Sequence, residues 1–268
     1  MGEFFEVTVL GVLQGVAEFL PVSSSGHLVI GQTAFGINAP GMRLDVFLHV
    51  GTLFAIFAYY RRRISELFAG LFSKSATARR ASWDYALKIA VSALPAVGAY
   101  LLFKRHIENV FEDPKTVGAL LMFTGAVLMG TRFLPRGVRG VDAVRAVLMG
   151  VGQAIALLPG VSRSGMTIAS ARCGKVEPEK AAEFSFLMSV PLIAGAALLE
   201  TVRSFRGTGA AAGAEMAWPL VIYGAAVAAV VGYFSLVWLV KVLKGRFFWA
   251  FGPYCIAMGL LVVALCSR

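Results

Sequence analysis

Six runs of the sequence stay apolar over about the length that an α-helix needs to cross the hydrocarbon core of a bilayer, about 20 residues. Hydrophobic residues make up 58% of the 268 residues and charged residues only 15%, against about 25% in soluble domains. The sequence therefore predicts an all-α polytopic membrane protein, with residues 1–268 as a single integral membrane domain. The predicted full spans lie at about 44–60, 83–103, 115–134, 183–202, 217–240 and 246–266.

Two further apolar stretches, 5–35 and 141–171, are interrupted by proline, glycine and serine. The interruptions read "LPVSSSG" in the first stretch and "LPGVSRSG" in the second. Proline breaks the hydrogen-bond ladder of a helix. Non-helical backbone at membrane depth is tolerated only inside protein or beside a wet cavity. Both stretches are predicted to be re-entrant helix–loop–helix hairpins.

The net charge of +10 fits a membrane protein without invoking nucleic acid as a partner. Lys and Arg cluster in alternate connections, above all in the polar segment 61–82, and the positive-inside rule assigns those connections to the cytoplasm. The Arg61–Arg63 run is expected to contact lipid headgroups. The three cysteines have no paired or metal-binding spacing, so no disulfide framework is expected.

The two interrupted stretches match each other when the sequence is shifted by 139 residues, so that Gly11 falls on Gly150. This defines repeat 1 at about 5–134 and repeat 2 at about 141–266. Because three predicted spans separate the hairpins, the second copy is inverted relative to the first. Inverted repeats commonly place a site near the midplane where broken helices meet. We therefore expect the two serine-rich loops to face each other.

The residue types in these loops suit a phosphorylated ligand. Gln14 and Glu18 share a helix face, and Glu18 is suited to bind a cation or act as a base. Ser23, Ser24 or Ser25 can cap the next helix, whose N-terminus favours phosphate, and His27 follows one turn later as a candidate proton shuttle. In the second loop Arg163 offers a fork of donors that matches phosphate oxygens. The predicted substrate-binding residues are Ser23, Ser25, Gly26, Ser162, Ser164 and Gly165.

These groups favour a phosphoanhydride hydrolase, although two other readings remain open. Inverted repeats with broken helices also occur in transporters, and a structural protein without a ligand is the third possibility. The latter does not explain a charged Arg163 at membrane depth, which is costly. Whether Ser24 is a nucleophile or a phosphate ligand beside an attacking water is also open. His49, near the end of a predicted span, is expected to pack or to line the pocket.

The stretches "LQGVAEFLPVSSSGHLVI" and "LLPGVSRSGMTIA" resemble the signature motifs of the undecaprenyl-diphosphate phosphatases, the bacitracin-resistance proteins. The resemblance covers about residues 5–200. It implies hydrolysis of undecaprenyl diphosphate to undecaprenyl phosphate and inorganic phosphate, which recycles the cell-wall carrier lipid and confers bacitracin resistance. It also implies a bacterial inner-membrane location with the site facing the periplasm.

The same resemblance assigns catalytic or metal roles to Glu18, Ser24, His27 and Arg163, with Mg²⁺ or Ca²⁺ as the cofactor. Some members carry a second acidic residue where this chain has Gln14. An amide oxygen still suits a metal but brings no charge, so Gln14 is either a ligand or an orienting residue. The oligomeric state is open, with a homodimer as one possibility.

Overall fold

The computed structural model describes residues 2–34, 43–111, 113–205 and 216–266. Within these ranges the chain forms eleven α-helices and two short 3₁₀ turns, at Thr131–Phe133 and Phe248–Ala250, with no β-strand. The helices are α1 Gly2–Phe19, α2 Ser24–Ala34, α3 Arg43–Tyr59, α4 Arg61–Leu71, α5 Ala76–Phe111, α6 Pro114–Gly130, α7 Ala143–Ile155, α8 Arg163–Cys173, α9 Pro178–Phe205, α10 Trp218–Lys244 and α11 Phe251–Leu265.

The predicted polytopic all-α class is confirmed. Five helical segments among the described residues are long and apolar enough to cross a bilayer: Ala76–Val110, Pro114–Phe133, Pro178–Leu198, Trp218–Lys244 and Phe248–Leu265. The remaining predicted span, 44–60, is a shorter apolar helix, Leu44–Tyr59. The layout of six spans and two re-entrant hairpins therefore stays a prediction.

The polar segment 61–82 is not the simple connection that its composition indicates. Residues 61–71 form the amphipathic helix α4, and helix α5 already begins at Ala76. Arg63 on α4 donates from Nε to Glu183 Oε1 on α9 over 2.9 Å, so the segment is tied to the helix bundle. The sequence did not predict this helix because its apolar positions are separated by arginine and glutamate.

Both interrupted stretches do fold as helix–loop–helix pairs. Helix α2 turns back along α1, since a Cβ on Gly31 would lie 3.0 Å from Leu13 Cδ1. Helix α8 likewise packs on α7, where a Cβ on Gly152 would lie 2.9 Å from the Met166 carbonyl oxygen. Small residues at these crossings let the backbones approach closely, as is typical of helix packing in membranes.

The two repeats interlock, because the first helix of each packs on a long helix of the other. A Cβ on Gly11 of α1 would lie 3.0 Å from Gly224 O on α10. A Cβ on Gly150, the counterpart of Gly11 on α7, would lie 2.3 Å from Ser92 O on α5. Substituting either glycine forces two helix backbones apart, so these contacts tie each hairpin to a long helix of the other repeat.

Corresponding helices of the repeats run antiparallel, as the sequence repeat leads us to expect. Arg63, on α4 just after the end of α3, contacts Glu183 near the start of α9, whereas His49 earlier on α3 shares a cavity with Ile193 further along α9. Helices α6 and α11 show the same relation. Gly118 lies against Gly259, and Gly125, seven residues later, lies against Gly252.

Candidate active site

The first loop joins α1 to α2 through a backbone that turns sharply at Ser23. Ser23 has a φ of 70°, in the left-handed region that non-glycine residues seldom adopt. Its hydroxyl accepts a hydrogen bond from the Gly26 amide over 3.3 Å, at the start of α2. The serine hydroxyls of Ser23 and Ser25 lie 3.3 Å apart. The cap that the sequence left open between three serines is thus supplied by Ser23.

The second loop repeats this arrangement on α8. Ser162 is the N-cap, and its hydroxyl accepts from the Gly165 amide over 3.1 Å. The hydroxyls of Ser162 and Ser164 lie 3.2 Å apart, as in the first loop. Gly160 has a φ of 90°, which glycine adopts without strain. The repeat seen in the sequence therefore extends to individual hydrogen bonds.

The two loops contact each other directly. Ser164 donates its hydroxyl hydrogen to Leu20 O across the interface, over 3.2 Å. A Cβ on Gly26 would lie 3.3 Å from Gly160 Cα, which explains why the first loop has no side chain at this point. The facing arrangement expected of the serine-rich loops is thus present in the structure.

Glu18, at the end of α1, is the centre of the site. Its side chain is buried, and its Oε1 forms an ion pair with Arg163 Nη2. Its Oε2 accepts from the Ser24 hydroxyl over 2.7 Å and from Gln14 Nε2 over 3.2 Å. A buried charge persists only when it is paired and hydrogen-bonded, and removing one partner of such a pair costs about 3–5 kcal/mol. The structure thus brings three other predicted residues, Gln14, Ser24 and Arg163, onto the carboxylate of Glu18.

Ser24 and Arg163 are equivalent positions of the two repeats, separated by the same 139 residues as Gly11 and Gly150. Each is the first residue of its helix, α2 or α8. One donates to Oε2 of Glu18 and the other to Oε1. The two hairpins therefore use corresponding positions for different chemistry, a hydroxyl in one and a cation in the other.

Several polar atoms of the two hairpins are buried and have no hydrogen-bond partner among the described residues. They are Gln14 Oε1, Arg163 Nη1, and both amide atoms of Gln153, the counterpart of Gln14. An unpartnered buried polar atom costs about 1–3 kcal/mol, so such atoms point to a ligand or water. A donor on Arg163 suits a phosphate oxygen, and the Gln14 carbonyl oxygen suits a cation.

His27 is one turn into α2 as predicted, but its ring nitrogens are engaged elsewhere. Nδ1 lies 2.9 Å from Ser23 O and Nε2 lies 2.8 Å from the hydroxyl of Tyr254 on α11. The His27 and Tyr254 rings are also stacked, with centroids 5.7 Å apart. His27 thus holds the strained Ser23, and its predicted proton transfer would run towards Tyr254. No sequence pattern predicted the contact with Tyr254, which is 227 residues from His27.

His49, not His27, is the imidazole that faces Glu18. Its Nε2 lies 3.6 Å from Glu18 Oε2, and its Nδ1 lies 2.8 Å from the carbonyl oxygen of Asp45. His49 also lines a cavity of about 380 Å³ together with Ser25 of the first loop. The remaining lining is mainly apolar: Leu28, Val29, Val46, Leu192, Ile193 and Ala196, with Gln32 and Asp45. In the sequence, His49 stands out only as a polar ring inside an apolar run.

The fold and the site define a polytopic membrane protein with a buried, charge-paired polar site between two helix–loop–helix hairpins. The family model described as bacitracin resistance protein BacA matches residues 7–261. The chain therefore belongs to the bacitracin resistance protein BacA family.

Curated relatives are similar to this chain over nearly its full length. An undecaprenyl-diphosphatase of Desulforapulum autotrophicum is 38% identical over 275 residues, covering 97% of this chain and 98% of the relative. Undecaprenyl-diphosphatase 4 of Bacillus cereus is 36% identical over 265 residues, covering 98% of this chain and 97% of the relative. An undecaprenyl-diphosphatase of Halothermothrix orenii is 34% identical over 266 residues, with 98% of each chain covered.

Proposed function

We propose that this chain is an undecaprenyl-diphosphatase that hydrolyses undecaprenyl diphosphate to undecaprenyl phosphate and inorganic phosphate. This reaction recycles the carrier lipid of cell-wall synthesis and underlies bacitracin resistance. The observation that carries the proposal is the junction at Glu18, where Ser24 of one hairpin and Arg163 of the other meet on one carboxylate. A site that only bound an anion would need the arginine and the helix caps but no base.

The contacts support a role for each group. The unpartnered Arg163 Nη1 donates to an oxygen of the terminal phosphate and stabilises the charge that develops on it. Ser24 Oγ attacks the terminal phosphorus while its proton passes to Glu18 Oε2, 2.7 Å away. The bond from that phosphorus to the bridging oxygen breaks, and undecaprenyl phosphate leaves. Water then cleaves the phosphoserine, which releases inorganic phosphate and restores Ser24.

A divalent cation, Mg²⁺ or Ca²⁺, belongs to this proposal. Glu18 and the unpartnered carbonyl oxygen of Gln14 are the residues that would hold it. When bound, it neutralises charge on the diphosphate. Gln14 also orients Glu18 through Nε2, so the two roles left open by the sequence are compatible.

The cavity beside Ser25 supports a lipid substrate. Its lining is mainly apolar, with Ser25 and His49 beside the site and Gln32 and Asp45 as its other polar groups, and it extends between α2, α3 and α9. An isoprenoid chain fits the apolar part of this lining, while the diphosphate remains beside Ser25 and His49. We further propose that the protein acts in the bacterial inner membrane with this site open to the periplasmic side. A homodimer is part of the same hypothesis.

The test is phosphate release from C55 diphosphate by the purified protein in detergent. It is run with Mg²⁺ or Ca²⁺ and again with a chelator. Cation-dependent release is expected. Folded protein that releases no phosphate under either condition would contradict the proposal and favour transport of an anionic lipid through the same site.

A further inference from the structure

The orientation of the His49 ring is fixed by its backbone contact. Nδ1 lies 2.8 Å from the carbonyl oxygen of Asp45, one turn earlier on α3. A carbonyl oxygen only accepts, so Nδ1 carries the hydrogen of this bond. In the neutral ring Nε2 then presents a lone pair. This lone pair faces Glu18 Oε2, itself an acceptor, at 3.6 Å.

Two acceptor atoms repel each other unless a proton or a cation lies between them. The distance of 3.6 Å is beyond hydrogen-bond range, yet short enough for one ion to contact both atoms. A histidine that binds metal almost always donates its other ring N–H to a carbonyl or carboxylate, which sets the tautomer and the ring plane. His49 has this arrangement before any metal binds.

The surroundings supply part of a coordination shell. Gln14 has a buried carbonyl oxygen without a partner, on the amide whose nitrogen contacts the same Glu18 oxygen. No cluster of three or more His, Cys, Asp or Glu ligands occurs among the described residues. Ions that act on phosphates are commonly held by one or two carboxylates and complete their shell with phosphate oxygens and water. Phosphate oxygens of the diphosphate and water would complete the shell of a cation held here.

We propose that His49 is a ligand, through Nε2, of the divalent cation bound by Glu18, and that it favours Mn²⁺ over Ca²⁺. Imidazole is a poor ligand for Ca²⁺, which prefers oxygen, and binds transition ions more readily. The inference rests on the proposed function, since it assigns a further residue to the same cation. It also separates the site histidines: His49 binds the ion and His27 holds the loop.

The direct test is pulsed electron paramagnetic resonance of Mn²⁺ bound to the full chain in detergent with methylenediphosphonate, which cannot be hydrolysed. We expect a ¹⁴N modulation from a directly bound imidazole. His49→Gln removes that modulation and weakens Mn²⁺ binding at least about tenfold, while Ca²⁺ binding changes less than about twofold. The matched control is His106→Gln, because His106 is exposed on α5 and should leave the spectrum unchanged.

Two results would overturn the inference. One is bound Mn²⁺ without ¹⁴N modulation in the unsubstituted chain, as expected if His49 instead pairs with Glu18 as an imidazolium. The other is a modulation that survives in His49→Gln. Phosphate release is measured on the same samples. An active chain with no nitrogen ligand contradicts only the role of His49, whereas an inactive chain contradicts the proposed function itself.

Discussion

The two hairpin loops have the same scaffold and opposite chemistry. In each, a serine hydroxyl caps a glycine amide and lies close to a second serine, Ser23 with Ser25 and Ser162 with Ser164. The first hairpin supplies the carboxylate of Glu18, and the second supplies the guanidinium of Arg163. Repetition thus provides two helix N-termini that face each other, while divergence of two positions provides an acid and a cation between them.

The supports of the loops also correspond. Tyr254 of α11, in repeat 2, holds His27 of the first hairpin. Thr124 of α6, in repeat 1, donates to Gly160 O over 3.0 Å and accepts from the Ser162 amide over 3.2 Å. Each hairpin is therefore held by a helix of the other repeat. This comparison predicts that scaffold substitutions act equally in the two hairpins and that chemical substitutions do not.

The largest effect is expected at the charged pair. Glu18→Ala and Arg163→Ala should each lower phosphate release at least about 100-fold, because such groups stabilise the charge of the transition state. The measurement is the rate of phosphate release by folded, monodisperse protein. A variant that retains more than about a tenth of the rate would contradict the assigned role.

The next effect separates Ser24 from its neighbour. Ser24→Ala should lower the rate about 100-fold if its oxygen attacks phosphorus, since Glu18 accepts its proton. Ser25→Ala, which keeps the Ser24–Glu18 contact, is the matched control and should lower the rate less than about tenfold. Equal rates in the two variants would favour an attacking water over Ser24.

Loss of a helix cap should lower stability by similar amounts in the two hairpins. Replacing a capping hydroxyl with alanine typically costs about 1 kcal/mol. Ser23→Ala and Ser162→Ala should therefore lower the midpoint of thermal unfolding in detergent to a similar extent. A large loss in only one variant would show that the equivalence of the loops does not extend to their energetics.

The supports are expected to affect stability and not the chemical step. Tyr254→Phe keeps the stacking on His27 and removes one hydrogen bond, and Thr124→Val removes the contacts to the second loop. Each should cost about 1–3 kcal/mol of stability, as expected for unpaired buried groups. Chemical denaturation monitored by tryptophan fluorescence tests this. No loss in either variant would mean that the loops hold their shape unaided.

Local sequence patterns predicted much of the fold and part of the site. The positions of proline, serine and glycine predicted both helix–loop–helix pairs, and the repeat predicted that their loops meet. Runs of apolar residues predicted the long helices, because burial in lipid requires them. The amphipathic helix α4 was missed, since its arginines obscured the apolar face.

The remaining parts of the site depend on contacts between distant segments. His49 reaches Glu18 only because α3 packs beside α1, and Tyr254 reaches His27 only through the packing of α11. Neither residue lies in a motif of its own. Sequence spacing identifies residues that share one helix or loop, whereas these partners are set by how the helices pack.

A double-mutant cycle at Glu18 and Arg163 tests most directly whether the two hairpins form one catalytic site. The rate of phosphate release is measured for Glu18→Gln, Arg163→Gln and the double variant under saturating cation. Residues that act as a unit are strongly non-additive. We therefore predict that the double variant is about as slow as the slower single variant. If the two losses multiply, the hairpins act independently and the account of a shared site is wrong.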